Sequence, residues 1–187
     1  MALPPTIYRA NLQLADVDRD CYRQLAVTLA RHPSETGERL VGRLLAYALC
    51  FEEGLAFTRG ICAGDEPDLW LKGPDDRVEL WVEVGLPDSE RIVKASRHAR
   101  RVVLVAFGKG LPRWRDQHLS RLETLSNLQV LALDSAFLQQ LVAGLERSIT
   151  WEMTVSAGTL YLSSGDRVLE TVLEQPVGHR TAAWGQE

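Results

Sequence analysis

Asp68, in Glu66-Pro67-Asp68-Leu69-Trp70, and Glu83, in Glu79-Leu80-Trp81-Val82-Glu83-Val84-Gly85, are the residues whose types and spacing could do chemistry. A Pro-Asp opens one short apolar segment and a Glu sits inside the next, fifteen residues on. Two carboxylates brought together this way can hold Mg²⁺ or Mn²⁺, hard cations that prefer oxygen ligands and keep several waters. Such an ion can activate a water and polarise a phosphodiester. In a standard site of this kind a lysine follows two residues after the Glu. Here that position is Gly85.

The flanking residues predict the elements that would position the pair. Side chains alternate faces along a strand. A strand over 78–84 therefore puts Glu79, Trp81 and Glu83 on one face and Leu80, Val82 and Val84 on the other. The aliphatic face reads as the core face, and the Glu79/Trp81/Glu83 face as the one that lines a site. Asp68–Lys72 reads as a shorter strand joined to it through the turn Gly73-Pro74-Asp75-Asp76, and the hairpin can bring Asp68 near Glu83. Leu40, Val41, Leu44, Leu45, Ala48 and Phe51 recur at helical spacing and predict an amphipathic helix over roughly 35–52. Ser34 is its expected N-cap, and Glu35 and Glu38 lie in its first turn, where the helix dipole favours negative charge. Glu38 is a third candidate metal ligand or, alternatively, only a dipole-facing carboxylate. Lys94, on the helix expected from Asp88 to about Arg100, is the candidate stand-in for the absent lysine; a plain surface position is the alternative.

The rest of the chain reads as α/β. Segments 6–16 and 22–31 alternate in character and predict an N-terminal hairpin. Leu55–Thr58 is a possible short strand and 62–66 a loop. Arg101–Phe107 has the look of a strand buried on both faces, 112–125 of a helix, and 128–133 of another strand. A helix over 137–145 precedes a hairpin of 150–156 and 159–163. Residues beyond about 173 carry no pattern and read as a loose tail. The division is a single domain: hairpin 1–33, core 34–133, helix and strands 134–173, tail 174–187.

The stretches Leu29-Ala30-Arg31-His32-Pro33-Ser34-Glu35-Thr36, Asp65-Glu66-Pro67-Asp68-Leu69-Trp70, Glu79-Leu80-Trp81-Val82-Glu83-Val84-Gly85 and Arg91-Ile92-Val93-Lys94-Ala95-Ser96 resemble the YaeQ family of small bacterial proteins. The resemblance spans essentially the whole chain. It implies a restriction-endonuclease-like core of the PD-(D/E)XK superfamily: helix, three strands, helix, strand, within a mixed sheet flanked by helices. It also implies Asp68 and Glu83 as metal ligands, Glu38 as the helix acid and Lys94 as a polarising lysine supplied from the helix. The activity so implied is metal-dependent phosphodiester hydrolysis. The absent motif lysine leaves a second expectation open, a catalytically inactive nuclease-like scaffold that binds nucleic acid or protein.

Lys94, Arg97, His98 and Arg101 fall near one helical face and, with Arg113 and Arg115, could contact phosphates. The alternative is cations gathered at a helix C-terminus by its dipole. Trp70, Trp81 and Trp114 could stack on bases or pack in the core. The formal charge of −4 argues against a surface that grips nucleic acid everywhere, and allows a local basic patch. The four histidines have no metal-ligand spacing, and Gly108-Lys109-Gly110 lacks the context of a phosphate-binding loop. The three cysteines, Cys21, Cys50 and Cys62, form neither a disulfide framework nor a zinc pattern. No apolar run is long enough to span a membrane and the N-terminus has no signal-like core, so the expectation is a cytoplasmic protein with no membrane partner.

Overall fold

The computed structural model describes residues 4–58 and 66–178. The segment around Cys62 and the C-terminal residues from 179 on, including His179, lie outside the described residues.

Among the described residues eleven strands form two mixed sheets, flanked by four α-helices. β1 (Thr6–Asp16) and β2 (Cys21–Arg31) make the expected hairpin, in unbroken register from Thr6–Arg31 to Asp16–Cys21. The hairpin is no appendage. β1 pairs in parallel with β8 (Ser148–Ser156), which continues through β9 (Thr159–Ser164) to β10 (Arg167–Val172), giving the order β10-β9-β8-β1-β2. Chain ends far apart in sequence thus share one sheet.

The second sheet has the order β11-β7-β6-β5-β4-β3. Its centre is three parallel strands, β5 (Val78–Val84), β6 (Ala99–Ala106) and β7 (Leu128–Ala132). β4 (Leu69–Lys72) and β3 (Ala56–Phe57) extend it antiparallel on one side. On the other side β11 (Glu174–Val177) pairs with β7. That corrects the loose tail expected from residue 174: Val177 is buried against the sheet although the segment carries no periodicity.

α1 (Gly37–Leu49) lies between the sheets, touching β5 on one side and β1 on the other. This explains why every residue from Leu40 to Ala46 is buried. A helix with sheets on both sides cannot keep a polar face. The ring of Phe107 lies so close to this helix that a Cβ on Gly42 would stand 2.2 Å from it. α4 (Ser135–Ala143) packs beside α1, and this layer joins the inner faces of both sheets in one core. On the far face of the six-stranded sheet, α2 (Ser89–His98) and α3 (Leu111–Leu122) cover a second core of Ile92, Val102, Leu104, Trp114 and Val130. The parallel strands are buried on both faces, as the apolar run 101–107 implied.

The start of α1 differs from expectation. Thr36, not Ser34, is the N-cap, accepting the Arg39 N–H at 3.1 Å. Ser34 bonds to the His32 ring instead. Glu35 precedes the helix and is buried, accepting from Arg43 at 2.9 Å. Burial needed a partner for that carboxylate more than the dipole needed a charge.

Candidate functional site: an arginine-locked acid pair beside a basic cleft

Asp68 immediately precedes β4. The register pairs Leu69 with Val82 and Trp70 with Trp81, so one step further Asp68 stands opposite Glu83. Both carboxylates are buried, at 2% and 4% exposure. A buried carboxylate needs a counter-charge or hydrogen bonds to offset desolvation, and here each finds an arginine on a different helix. Arg39, from α1, donates to Asp68 Oδ1 at 2.6 Å and to the Val84 carbonyl at 2.8 Å. Asp68 Oδ2 accepts the Val84 N–H at 2.9 Å. Arg91, from α2, donates to Glu83 Oε1 at 2.8 Å and to the Glu66 carbonyl at 2.7 Å. Trp81 Nε1 donates to that same Glu83 oxygen at 2.9 Å. The two acids are sequence neighbours across a hairpin, yet they are tied to helices on opposite faces of the sheet.

Burial pushes the Asp68 carboxyl above its ordinary value, with Arg39, Arg43 and the Val84 N–H pulling the other way. Burial likewise raises Glu83, opposed by Arg91 and Trp81 and assisted by the negative charge of Asp68. The two groups therefore feel one another, but the site is already neutral: two carboxylates, two guanidiniums.

A divalent ion does not fit this arrangement. Both Asp68 oxygens and one Glu83 oxygen accept from groups in place, and a dication added here would sit against two buried-facing cations. Glu38 does not complete a third side: among the described residues no three His, Cys, Asp or Glu side chains converge on a point that could hold a metal. Its Oε1 is buried without a hydrogen-bond partner.

Gly85 carries φ +101, a conformation that side-chain-bearing residues rarely adopt, and its N–H is bonded to the Val105 carbonyl. A lysine at the motif position would be strained. Glycine is thus the residue this strand end favours.

Beside Glu83, between β5 and α2, lies an open cleft of about 710 Å³. Trp81, Val78, Ala95 and Ala99 supply its apolar part, Arg77, Arg91, Lys94, Arg97 and Arg100 its cations, against Asp76 and Glu79, and the His98 ring also lines it. Lys94 therefore faces the same cleft as Arg91, the partner of Glu83. Arg100 pairs with Glu79 at 3.3 Å. Arg97 is exposed and makes no ion pair among the described residues. His98 Nδ1 donates to the Lys94 carbonyl at 2.7 Å, turning its other nitrogen outward.

Arg101 leaves the expected cluster. It belongs to β6, not α2, and faces the α1 side, where it grips Glu52 through two bonds of 2.7 and 2.6 Å. Arg113 and Arg115 are not in this cleft either; Arg115 pairs with Glu174. Trp114 is buried, its Nε1 donating to the Pro87 carbonyl, and the Trp70 ring lies under the Lys72 ammonium outside the cleft lining, so Trp81 is the tryptophan of the cleft.

Sequence reasoning named the acids and missed their arginines. One general signal was present, that an acid buried between valines requires a partner, but it does not say which cation supplies it: Arg39 stands 29 residues from Asp68.

A sequence model of the family described as YaeQ protein matches residues 1–173. The chain belongs to the YaeQ family. Family members include a protein of Salmonella typhi, 43% identical over 94% of this chain and 99% of its own length. One of Escherichia coli K12 is 41% identical over the same shares. Both are named only as uncharacterized protein YaeQ. The fold agrees with the crystal structure of the family member from Pseudomonas syringae at a TM-score of 0.90 and 40% identity, covering 95% of this chain and 99% of that one. The Xanthomonas axonopodis pv. citri member gives a TM-score of 0.87 at 35% identity, with the same coverage. No helix among the described residues is long and apolar enough to cross a membrane.

Proposed function

We propose that this chain is a nucleic-acid-binding module on a restriction-endonuclease-like scaffold of the PD-(D/E)XK type, its acid pair retained as a structural lock. One observation carries the reading: Arg39 and Arg91 neutralise Asp68 and Glu83 from opposite faces, while the adjoining cleft keeps an excess of cations around Trp81. The first removes the chemistry expected of the acids. The second leaves a place for phosphates, with an aromatic wall against which a base can pack.

Binding of labelled DNA and RNA oligonucleotides, followed by fluorescence anisotropy in EDTA, tests the proposal. Affinity should fall as salt rises, because neutralising phosphates releases counterions. Arg97→Ala and Lys94→Ala should each weaken binding to all sequences and reduce the salt slope by about 1. Absence of binding at low salt would refute it.

A second reading is a metal-dependent phosphodiesterase with Asp68 and Glu83 as ligands and Lys94 as the polarising lysine. It draws support from Lys94 sharing the cleft with Arg91 and from the electrostatic coupling of the two acids. It requires both arginines to leave their carboxylates when an ion enters.

A further inference from the structure

The two sheets have four edges, and three are blunted. β3 is two residues long, β11 is four residues long with Pro176 in it and a register shift, and β10 is touched by α4. β2 is different. It is eleven residues long, its register with β1 is unbroken, and among the described residues no α-helix packs along it, the 3-10 turn Val17–Arg19 meeting it only where the hairpin turns. Long, uncovered edges invite another strand, and proteins that remain monomers usually protect them with charged side chains, Lys above all, with Pro or with a bulge. β2 has no Lys, Pro or bulge, and its two charges, Arg23 and Arg31, stand near its ends, donating to the Tyr22 and Glu35 carbonyls.

The backbone direction at this edge follows from the neighbouring strand. The Arg9 N–H donates to the Arg147 carbonyl, so the odd residues of β1 turn their backbone groups toward β8. The even residues of β1, such as Ala10 and Leu12, then face β2, where they pair with Val27 and Leu25. The backbone groups of Gln24, Ala26 and Thr28 must therefore point outward. At the two ends the outward carbonyls are met by arginines: Tyr22 O by Arg23 and Ala30 O, at 3.5 Å, by Arg43.

We infer that β2 pairs antiparallel with β2 of a second copy of this chain, about a two-fold axis through Ala26, to make one ten-stranded sheet. This register matches Cys21 with Arg31 and uses the whole strand. It sets Arg23 opposite Leu29, whereas a shift of two residues along the partner would set Arg23 opposite Arg31. Arg31 is turned away to the Glu35 carbonyl and the Tyr8 hydroxyl. Gln24 meets Thr28 of the second copy and Ala26 meets itself, so their outward N–H and C=O groups gain partners. On the core face Leu25 meets Val27 of the second copy.

The outer face supplies an independent reason. Tyr22 and Ile7 are large apolar side chains left 52% and 45% exposed. Ile7 is the neighbour of Ala30 in the β1–β2 register. In the paired sheet, Tyr22 of the second copy comes beside Ala30, and the small alanine leaves room for its ring to reach Ile7. Two-fold symmetry makes this contact twice, the self-complementary interface expected of an isologous dimer.

The test is sedimentation equilibrium of the full chain and of Ala26→Lys, with circular dichroism to confirm that the variant keeps its fold. The expected result is a wild-type mass of twice 20.9 kDa and a monomeric variant, because the substitution sets two like charges face to face. Hydrogen exchange on the wild type gives a second reading that needs no variant. The amides of Gln24, Ala26 and Thr28 should be protected at high protein concentration and lose protection on dilution. A monomeric wild type, a folded Ala26→Lys variant that remains dimeric, or fast exchange of these three amides at high concentration would overturn the inference.

Discussion

Arg39 Nη1 lies 3.5 Å from the point where a Cβ on Gly85 would begin. The residue that secures Asp68 thus occupies the space into which any side chain at position 85 would grow, the position where the proposed nuclease-like scaffold would call for a lysine.

Gly85→Lys should therefore fail to create a catalytic centre. The strained φ alone costs about 1–3 kcal/mol, and the new side chain starts beside a guanidinium. Urea denaturation should show that loss, with Gly85→Ala close behind because the strain comes from the backbone.

Arg39→Ala should destabilise the fold by about 3 kcal/mol, the lower end for breaking a buried pair because Arg39 is partly exposed. The cost comes mainly from an Asp68 charge left without compensation. The double variant Arg39→Ala/Asp68→Asn should recover a measurable part of it. A double-mutant cycle by chemical denaturation checks this, and strict additivity would contradict the lock.

The pH dependence follows from the same burial. Asp68 and Glu83 titrate above their ordinary values of 3.8 and 4.5 in the folded state. Between the ordinary value and the raised one, the folded state binds more protons than the unfolded chain. Stability contributed by these groups therefore rises as pH falls through that window and is lost as pH rises through it. The difference in melting temperature between wild type and Asp68→Asn, followed from neutral pH down into the ordinary carboxylate range, should move in the wild type's favour as pH falls. A difference independent of pH would show that burial does not govern this group.

Gly42→Ala should be destabilising by about 1–3 kcal/mol although alanine is the better helix former. The ring of Phe107 occupies the space the methyl would need. Thermal melts of Gly42→Ala and of Gly42→Ala/Phe107→Leu distinguish packing from propensity, since the second should regain part of the loss.

Much of this architecture was legible because single residues obeyed one periodicity. Leu40, Val41, Leu44, Leu45 and Ala48 announced α1, and the alternation at 78–84 announced β5 with Glu83 on the face that α2 covers. Glu35 was misplaced because the helix-dipole argument for a first-turn acid was outweighed by its buried pairing with Arg43. Arg101 was assigned to a helical face, although the apolar run that begins with it already read as a strand. A period of two places it with Val103 and Val105, on the side where Glu52 waits. β10 and β11 carry no strong local pattern, because their places depend on edges supplied by β9 and β7. The arginine lock was out of reach of local pattern altogether, since Arg39 and Arg91 meet their acids from 29 and 8 residues away.

Calorimetric titration of Mg²⁺ and Mn²⁺ into the purified protein, beside Asp68→Ala/Glu83→Ala, tests the lock most directly. If Arg39 and Arg91 neutralise the pair, the wild type takes up neither ion and the variant behaves the same. Saturable binding to the wild type that disappears in the variant would contradict the account and restore the acids to a metal site.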